Sequence, residues 1–85
     1  MQVRYLKSFQ KQVSKLQPAQ VKRLKAALKI FELEPHSPEL YNHPLSGEWR
    51  DHRSIAFGGG WRVHYKISGD VAIFVAVGTH SQLYK

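Results

Sequence analysis

Three apolar-rich runs separated by two short turn signals constrain this chain more than anything else in it. Residues 48–57, 61–67 and 71–77 each have strand length, and Gly58-Gly59-Gly60 and Ser68-Gly69-Asp70 join them. Linkers of that length and composition carry hairpin chemistry, because glycine supplies the positive φ that tight turns between twisted strands demand. Consecutive strands joined so tightly can only run antiparallel, so the C-terminal half reads as a three-stranded meander. The run Val71-Ala72-Ile73-Phe74-Val75-Ala76-Val77 is the longest apolar stretch. It falls far short of the roughly 18 residues of a membrane span.

The N-terminal half has a different period. Residues 2–9 alternate loosely and read as a short strand that gives way to helix near Ser8, a residue suited to an N-cap. Phe9, Val13 and Leu16 recur at helical spacing, so a helix should run to about Leu16. Pro18 suits the first turn of a second helix, where its missing N–H costs nothing. Val21, Leu24, Ala27 or Leu28, and Phe31 continue the apolar stripe, and Glu34-Pro35 should end it. Residues 36–42 read as loop, and residues 78–84 as a tail leaving the last strand. The expected order is strand, two-helix hairpin, three-stranded antiparallel meander: an α+β fold in one domain spanning residues 1–85. A chain of 85 residues should have a stability on the order of 4–13 kcal/mol.

Composition narrows the function. There is no cysteine, so neither a disulfide framework nor a thiolate zinc site is available. The N-terminal residues carry no secretory apolar stretch, and the expectation is a soluble, cytoplasmic protein with no membrane partner. Thirteen Lys and Arg against six Asp and Glu give a net charge of +7. Through Ile30 every charged side chain is basic: Arg4, Lys7, Lys11, Lys15, Lys22, Arg23, Lys25 and Lys29. Lysines spaced by three or four repel one another on a helix by a few tenths of a kcal/mol per pair. They read either as a solvated face or as a surface for RNA phosphates or an acidic protein segment.

Five histidines, His36, His43, His52, His64 and His80, show no H-x-x-x-H or H-x-H spacing, so no metal site is expected. Histidine with arginine and lysine is instead the set needed to cleave RNA without metal. One group takes the ribose 2′-OH proton, another protonates the leaving 5′ oxygen, and cations stabilise the phosphorane. In the run 61–67 alternation places Trp61, Val63, Tyr65 and Ile67 on one face and Arg62, His64 and Lys66 on the other. In the run 48–57, Arg50, His52, Ser54 and Ala56 alternate with Asp51, Arg53, Ile55 and Phe57. Which of Arg50, Arg53 and Arg62 lines the polar face is not settled by alternation. Trp49 and Trp61 are each capable of stacking on bases or of packing in a core.

Three blocks in register resemble one family. His43-Pro44-Leu45-Ser46-Gly47-Glu48-Trp49 is similar to the H-P-L-x-G-x-W segment of YafQ-type toxins in the RelE superfamily, and Arg53 falls on an arginine of that family. Gly60-Trp61-Arg62-Val63-His64-Tyr65-Lys66-Ile67 resembles their D-W-x-x-x-Y-K-x strand, and Gly78-Thr79-His80-Ser81-Gln82-Leu83-Tyr84 their closing G-T-H-x-x-L-F. The resemblance covers essentially the whole chain. It implies a microbial-RNase-like fold, a cognate antitoxin, and mRNA cleavage, usually on the ribosome and without a cofactor. Its site residues fall on His43 and His80, with Trp61 as a neighbouring aromatic. Two positions depart: a family histidine falls on Ala56, and the acidic residue before the tryptophan falls on Gly60. Neither can move a proton.

The catalytic expectation is therefore His80 as acid, His43 as base or phosphate ligand, and Arg53 and Arg62 offsetting phosphate charge. His52 or His64 would replace the missing histidine if it points into the cleft. Trp61, His52, His64, Lys66, Lys11 and Lys15 are the expected RNA contacts. The rival readings are a catalytically weak or inactive relative acting by binding, including gyrase inhibition as in the related ParE branch, and a plain RNA-binding module.

Overall fold

A computed structural model describes residues 1–84. It contains one sheet of five strands: β1 (Gln2–Tyr5), β2 (His43–Pro44), β3 (Arg53–Ala56), β4 (Trp61–Ser68) and β5 (Val71–Thr79). Helix α1 (Lys7–Val13) and helix α2 (Pro18–Leu33) follow the first strand, and a short helix α3 (His80–Leu83) follows the last. The strand order is β1-β5-β4-β3-β2. The expected antiparallel meander is present as β3, β4 and β5. Two additions extend it: β2 pairs antiparallel with β3, and β1 pairs in parallel with β5.

Local chemistry sets the helix limits. Pro18 opens α2, and Glu34 closes it one residue before Pro35. Helix α1 ends three residues earlier than its apolar spacing suggests, because the Ser14 hydroxyl donates to the Lys11 carbonyl at 2.6 Å and the chain tightens into i→i+3 turns. The third strand is also shorter than the run 48–57. Gly47, at φ +66°, starts a tight 3-10 turn over Gly47–Trp49, and Asp51 sits at φ +72°. Pairing therefore resumes only at Arg53.

The core lies between the two helices and one sheet face. Phe9, Leu24, Ala27 and Phe31 from the helices meet Ile55, Val63, Tyr65, Ala72, Phe74 and Val77 from the strands. Phe31 packs edge-on against Tyr65 at 4.9 Å and Phe74 at 5.2 Å between ring centroids. A bulge keeps this face apolar along β5. Tyr65 opposes Phe74 while His64 opposes Ala76, so Val75 is the extra residue. Without it, Phe74 and Val77 would point to opposite faces.

Beyond Tyr5 the edge of β5 has no strand partner. Helix α1 covers it: the Leu6 amide donates to the Phe74 carbonyl, and the Val77 amide donates to Gln12 Oε1 at 3.0 Å. The edge is thus closed to intermolecular pairing. No helix among the described residues is long and apolar enough to cross a membrane.

Candidate active site

Register decides which side chains share the sheet face away from the two helices. Residues directly opposite one another point to the same side, and His43, Ser54, His64 and Ala76 form one such row across β2, β3, β4 and β5. The next row towards the glycine hairpin is Ala56, Arg62 and Gly78. Small residues at Ala56, Ala76 and Gly78 flank Arg62 and His64 on this face.

His43 is exposed, and its Nδ1 lies 2.8 Å from the Tyr41 carbonyl. A carbonyl only accepts, so Nδ1 carries the hydrogen and Nε2 of the neutral ring is left as the acceptor. His80 begins α3 and is also exposed. Its amide donates to the Gly60 carbonyl, which ties α3 to the hairpin. A capping box locks the same turn: Thr79 Oγ1 accepts from the Gln82 amide at 3.2 Å, and Gln82 Oε1 accepts from the Thr79 amide at 2.9 Å. Gly78 leaves room for it, since a Cβ there would lie 2.9 Å from Gln82 Oε1.

His64 is fully buried. Trp49 meets it edge-on at 4.4 Å between ring centroids, and Tyr84 meets it at 5.4 Å. Neither ring nitrogen has a hydrogen-bond partner, and the buried Ser54 hydroxyl opposite has none either. Burial first, and then the charges of His52, His43 and His80, push its pKa down from 6.5 to about 4. His64 is therefore neutral at pH 7 and out of reach of a substrate, which corrects its expected role as an RNA contact. Its place is structural, beneath Trp49 and Tyr84.

Tyr84 in turn lies 4.5 Å from the His80 ring. Burial raises its phenol above the ordinary value, and nearby Arg62 opposes that. Trp49 Nε1 donates to the Leu83 carbonyl at 3.1 Å, so the β2–β3 connection and α3 hold each other across the face. His52 stands edge-on to Trp49 at 5.3 Å.

Arg53 and Trp61 lie elsewhere than expected. Arg53 opposes Tyr65 and shares its face; its Nε donates to Asn42 Oδ1 at 2.8 Å, and Asn42 Nδ2 donates to the Tyr65 hydroxyl at 2.6 Å. This chain braces the segment carrying His43 instead of facing the cleft. Trp61 packs half-buried against the core beside Phe57. On its outer side it lines a pocket of about 340 Å³ shared with Lys15 and Leu83. Lys66 is exposed at the outer end of β4, and Lys11 is exposed on α1.

Trp49 and Tyr84, which pack over His64, close two of the motif blocks but were not among the expected site residues. Among the described residues, no group of three or more His, Asp or Glu is arranged to hold a metal ion.

Comparison with known proteins adds the following. The model of the family described as the bacterial toxin of type II toxin–antitoxin systems, YafQ, matches residues 1–85. A search of curated protein sequences found no match. Among solved structures, YafQ from E. coli strain BL21(DE3) superposes with a TM-score of 0.83 at 23% identity, covering 98% of this chain and 97% of that one. The toxin in an E. coli DinJ–YafQ toxin–antitoxin complex gives 0.80 at 24% identity, covering 98% and 96%. A YoeB/ParE toxin from Agrobacterium tumefaciens gives 0.75 at 15% identity, covering 94% and 99%. At these identities the structural likeness establishes the fold.

Proposed function

Because the chain belongs to the YafQ family of toxins of bacterial type II toxin–antitoxin systems, we propose that it is a metal-independent endoribonuclease that cuts mRNA on the ribosome, in the cytoplasm, under the control of a cognate antitoxin. The observation that carries the chemistry is that His43 and Arg62 occupy adjacent rows of the sheet face away from the two helices, with exposed His80 against Tyr84 beside them. One histidine has its tautomer set by the Tyr41 carbonyl, and the other is held by a capped helix.

In this reading His43 Nε2 takes the proton from a ribose 2′-OH, and the 2′ oxygen attacks the adjacent phosphorus. Arg62 offsets the charge that builds on the phosphorane oxygens. His80 donates its proton to the departing 5′ oxygen. The products are a 2′,3′-cyclic phosphate and a 5′-hydroxyl end, and the two histidines finish with their protonation states exchanged. Trp49 and Tyr84 frame the substrate, His64 fixes them from beneath, and Arg53 steadies His43 through Asn42. Lys66, His52 and the Lys11, Lys15 and Trp61 side supply flanking contacts to RNA.

Ala56 and Gly60 favour one second reading, binding without cleavage, since neither side chain transfers a proton. One experiment separates the two. Folded protein is added to a translation extract and mRNA ends are mapped by primer extension, with His80→Ala and His43→Ala alongside. Discrete cuts within translated codons that both variants lose by about 10²–10⁴-fold are expected. Intact message at every concentration would overturn the nuclease reading.

A further inference from the structure

A pocket of about 510 Å³ opens where α2 faces the β3–β4 hairpin. Its lining includes Ala56 and Gly60, the two positions that depart from the family pattern, together with Arg23, Arg62 and Tyr41. The volume lies within the roughly 300–1,000 Å³ of small-molecule sites, and a lone carboxylate would leave most of it empty. Ala56 and Gly60 put no imidazole and no carboxylate on its wall, which leaves more space there and one negative charge fewer than the family pattern.

The chemistry of the wall is specific. Arg23 lies along the hairpin: a Cβ on Gly58 would sit 3.8 Å from its Cδ and 4.0 Å from its Nη1. Gly58, Gly59 and Gly60 have φ of +103°, +58° and +81°. Among the described residues, none of their amides donates to a backbone carbonyl. Successive unpaired amides in a turn are an anion-binding element. Tyr41 is held at φ +49° with 74% of its surface exposed, and an exposed ring of that kind is a stacking platform for a base. Glu39 is the one carboxylate in the lining. Ala56 and Arg62 belong both to this pocket and to the row they form with Gly78 on the sheet face that carries His43.

We propose that this pocket is a nucleotide subsite: it takes the nucleotide next to the cleaved bond, with its phosphate at Arg23 and the glycine amides and its base on Tyr41. For RNA as the ligand this rests on the nuclease reading above, whereas mononucleotide binding does not.

The test uses the full chain labelled with 15N, titrated separately with the four 5′-mononucleotides, inorganic phosphate, adenosine, and an acidic peptide. Nucleotides are expected to shift the Gly58, Gly59 and Gly60 amides more tightly than phosphate or nucleoside alone. Two exposed positions give variants that should still fold, Arg23→Ala and Ala26→Trp, with circular dichroism as the check. Arg23→Ala should weaken binding of a short RNA to the His80→Ala protein by on the order of tenfold, as loss of one charged phosphate contact does. It should also lower the salt slope of log K by about 0.7. Ala26→Trp, which fills the pocket, should weaken binding and leave that slope unchanged. Absent nucleotide shifts, phosphate binding as tightly as nucleotide, or an acidic peptide occupying the site in place of nucleotides would each overturn the proposal. If nucleotides bind here while message stays intact in the extract, the nuclease reading fails and the subsite stands.

Discussion

Replacing His64 by leucine should remove most of the acid sensitivity of this fold. In the unfolded chain an imidazole takes up its proton near pH 6.5; in the folded protein His64 does so near 4. Between those values the unfolded state binds the extra proton, so stability rises with pH and is lost on acidification from 6.5 towards 4. The whole displacement corresponds to about 3 kcal/mol at roughly 1.4 kcal/mol per pH unit. Part of it comes from His52, His43 and His80, and His43 and His80 are exposed and screened by salt, so about 2–3 kcal/mol is the expected loss. Against a total on the order of 4–13 kcal/mol that is a large share. Leucine has no proton to gain and no polar atom to leave unpaired, whereas both nitrogens of His64 are without partners. The variant should therefore match or exceed the parent at pH 7, by up to ~1 kcal/mol. Urea unfolding of both proteins at pH 7, 5.5 and 4.5 isolates the effect as a difference of differences, since all other groups titrate alike. Parallel loss of stability in the two proteins over that range would refute the argument from burial.

Three other perturbations test the framework around the site. Trp49→Phe keeps the ring but removes the donor to the Leu83 carbonyl; it should cost about 1 kcal/mol and lower Tm by roughly 4–8 °C. Hydrogen exchange at the His80 and Tyr84 amides should quicken, and unchanged protection there would separate α3 from Trp49. Gly78→Ala places a methyl 2.9 Å from Gln82 Oε1. It should undo half of the capping box at a cost of about 1 kcal/mol, and cleavage should fall in kcat because His80 opens that helix; normal kcat with a normal Tm would refute it. Arg53→Ala breaks the chain through Asn42 to Tyr65. It should cost about 1.5–3 kcal/mol in urea unfolding without changing the salt slope of RNA binding, whereas a lost slope would return Arg53 to the phosphate contacts.

The parts of this fold that were legible in sequence were those governed by local chemistry. Pro18 and Pro35 bracket α2 because proline acts on its own neighbours, and the glycine turns announce the meander for the same reason. The parallel pairing of β1 with β5 joins residues about seventy positions apart, and only packing against α1 and α2 selects it. The bulge at Val75 was hidden because the run 71–77 is apolar throughout and shows no alternation to interrupt. Alternation already groups Arg53 with Ile55 and Phe57, and its expected place in the cleft comes from motif resemblance alone. The 3-10 turn and the positive φ of Asp51 detach the first half of the run 48–57. The pairing that then begins at Arg53 puts it opposite Tyr65 on the core face. At the site, His43 and His80 were nominated through motif resemblance, and alternation grouped His64 with Arg62, as the register does. Alternation assigns a side but no depth, and so it did not distinguish buried His64 from accessible His43. Trp49 and Trp61 stay open in sequence between stacking and core packing for a similar reason, since either ring satisfies a core or a cleft.

The order of strands also bears on when such a protein can become harmful to the cell that makes it. Strand β5 follows the other four in the chain, and it supplies all of the strand pairing of β1 and one of the two partners of β4. A nascent chain ending before Val71 has no partner for its first strand and no lid for Phe9 or Phe31. His80 does not yet exist. A chain arrested before β5 therefore lacks both the partner of its first strand and one of the two candidate histidines. Nascent chains arrested at successive lengths and probed by limited proteolysis should stay digestible until β5 has emerged, then become resistant in a single step.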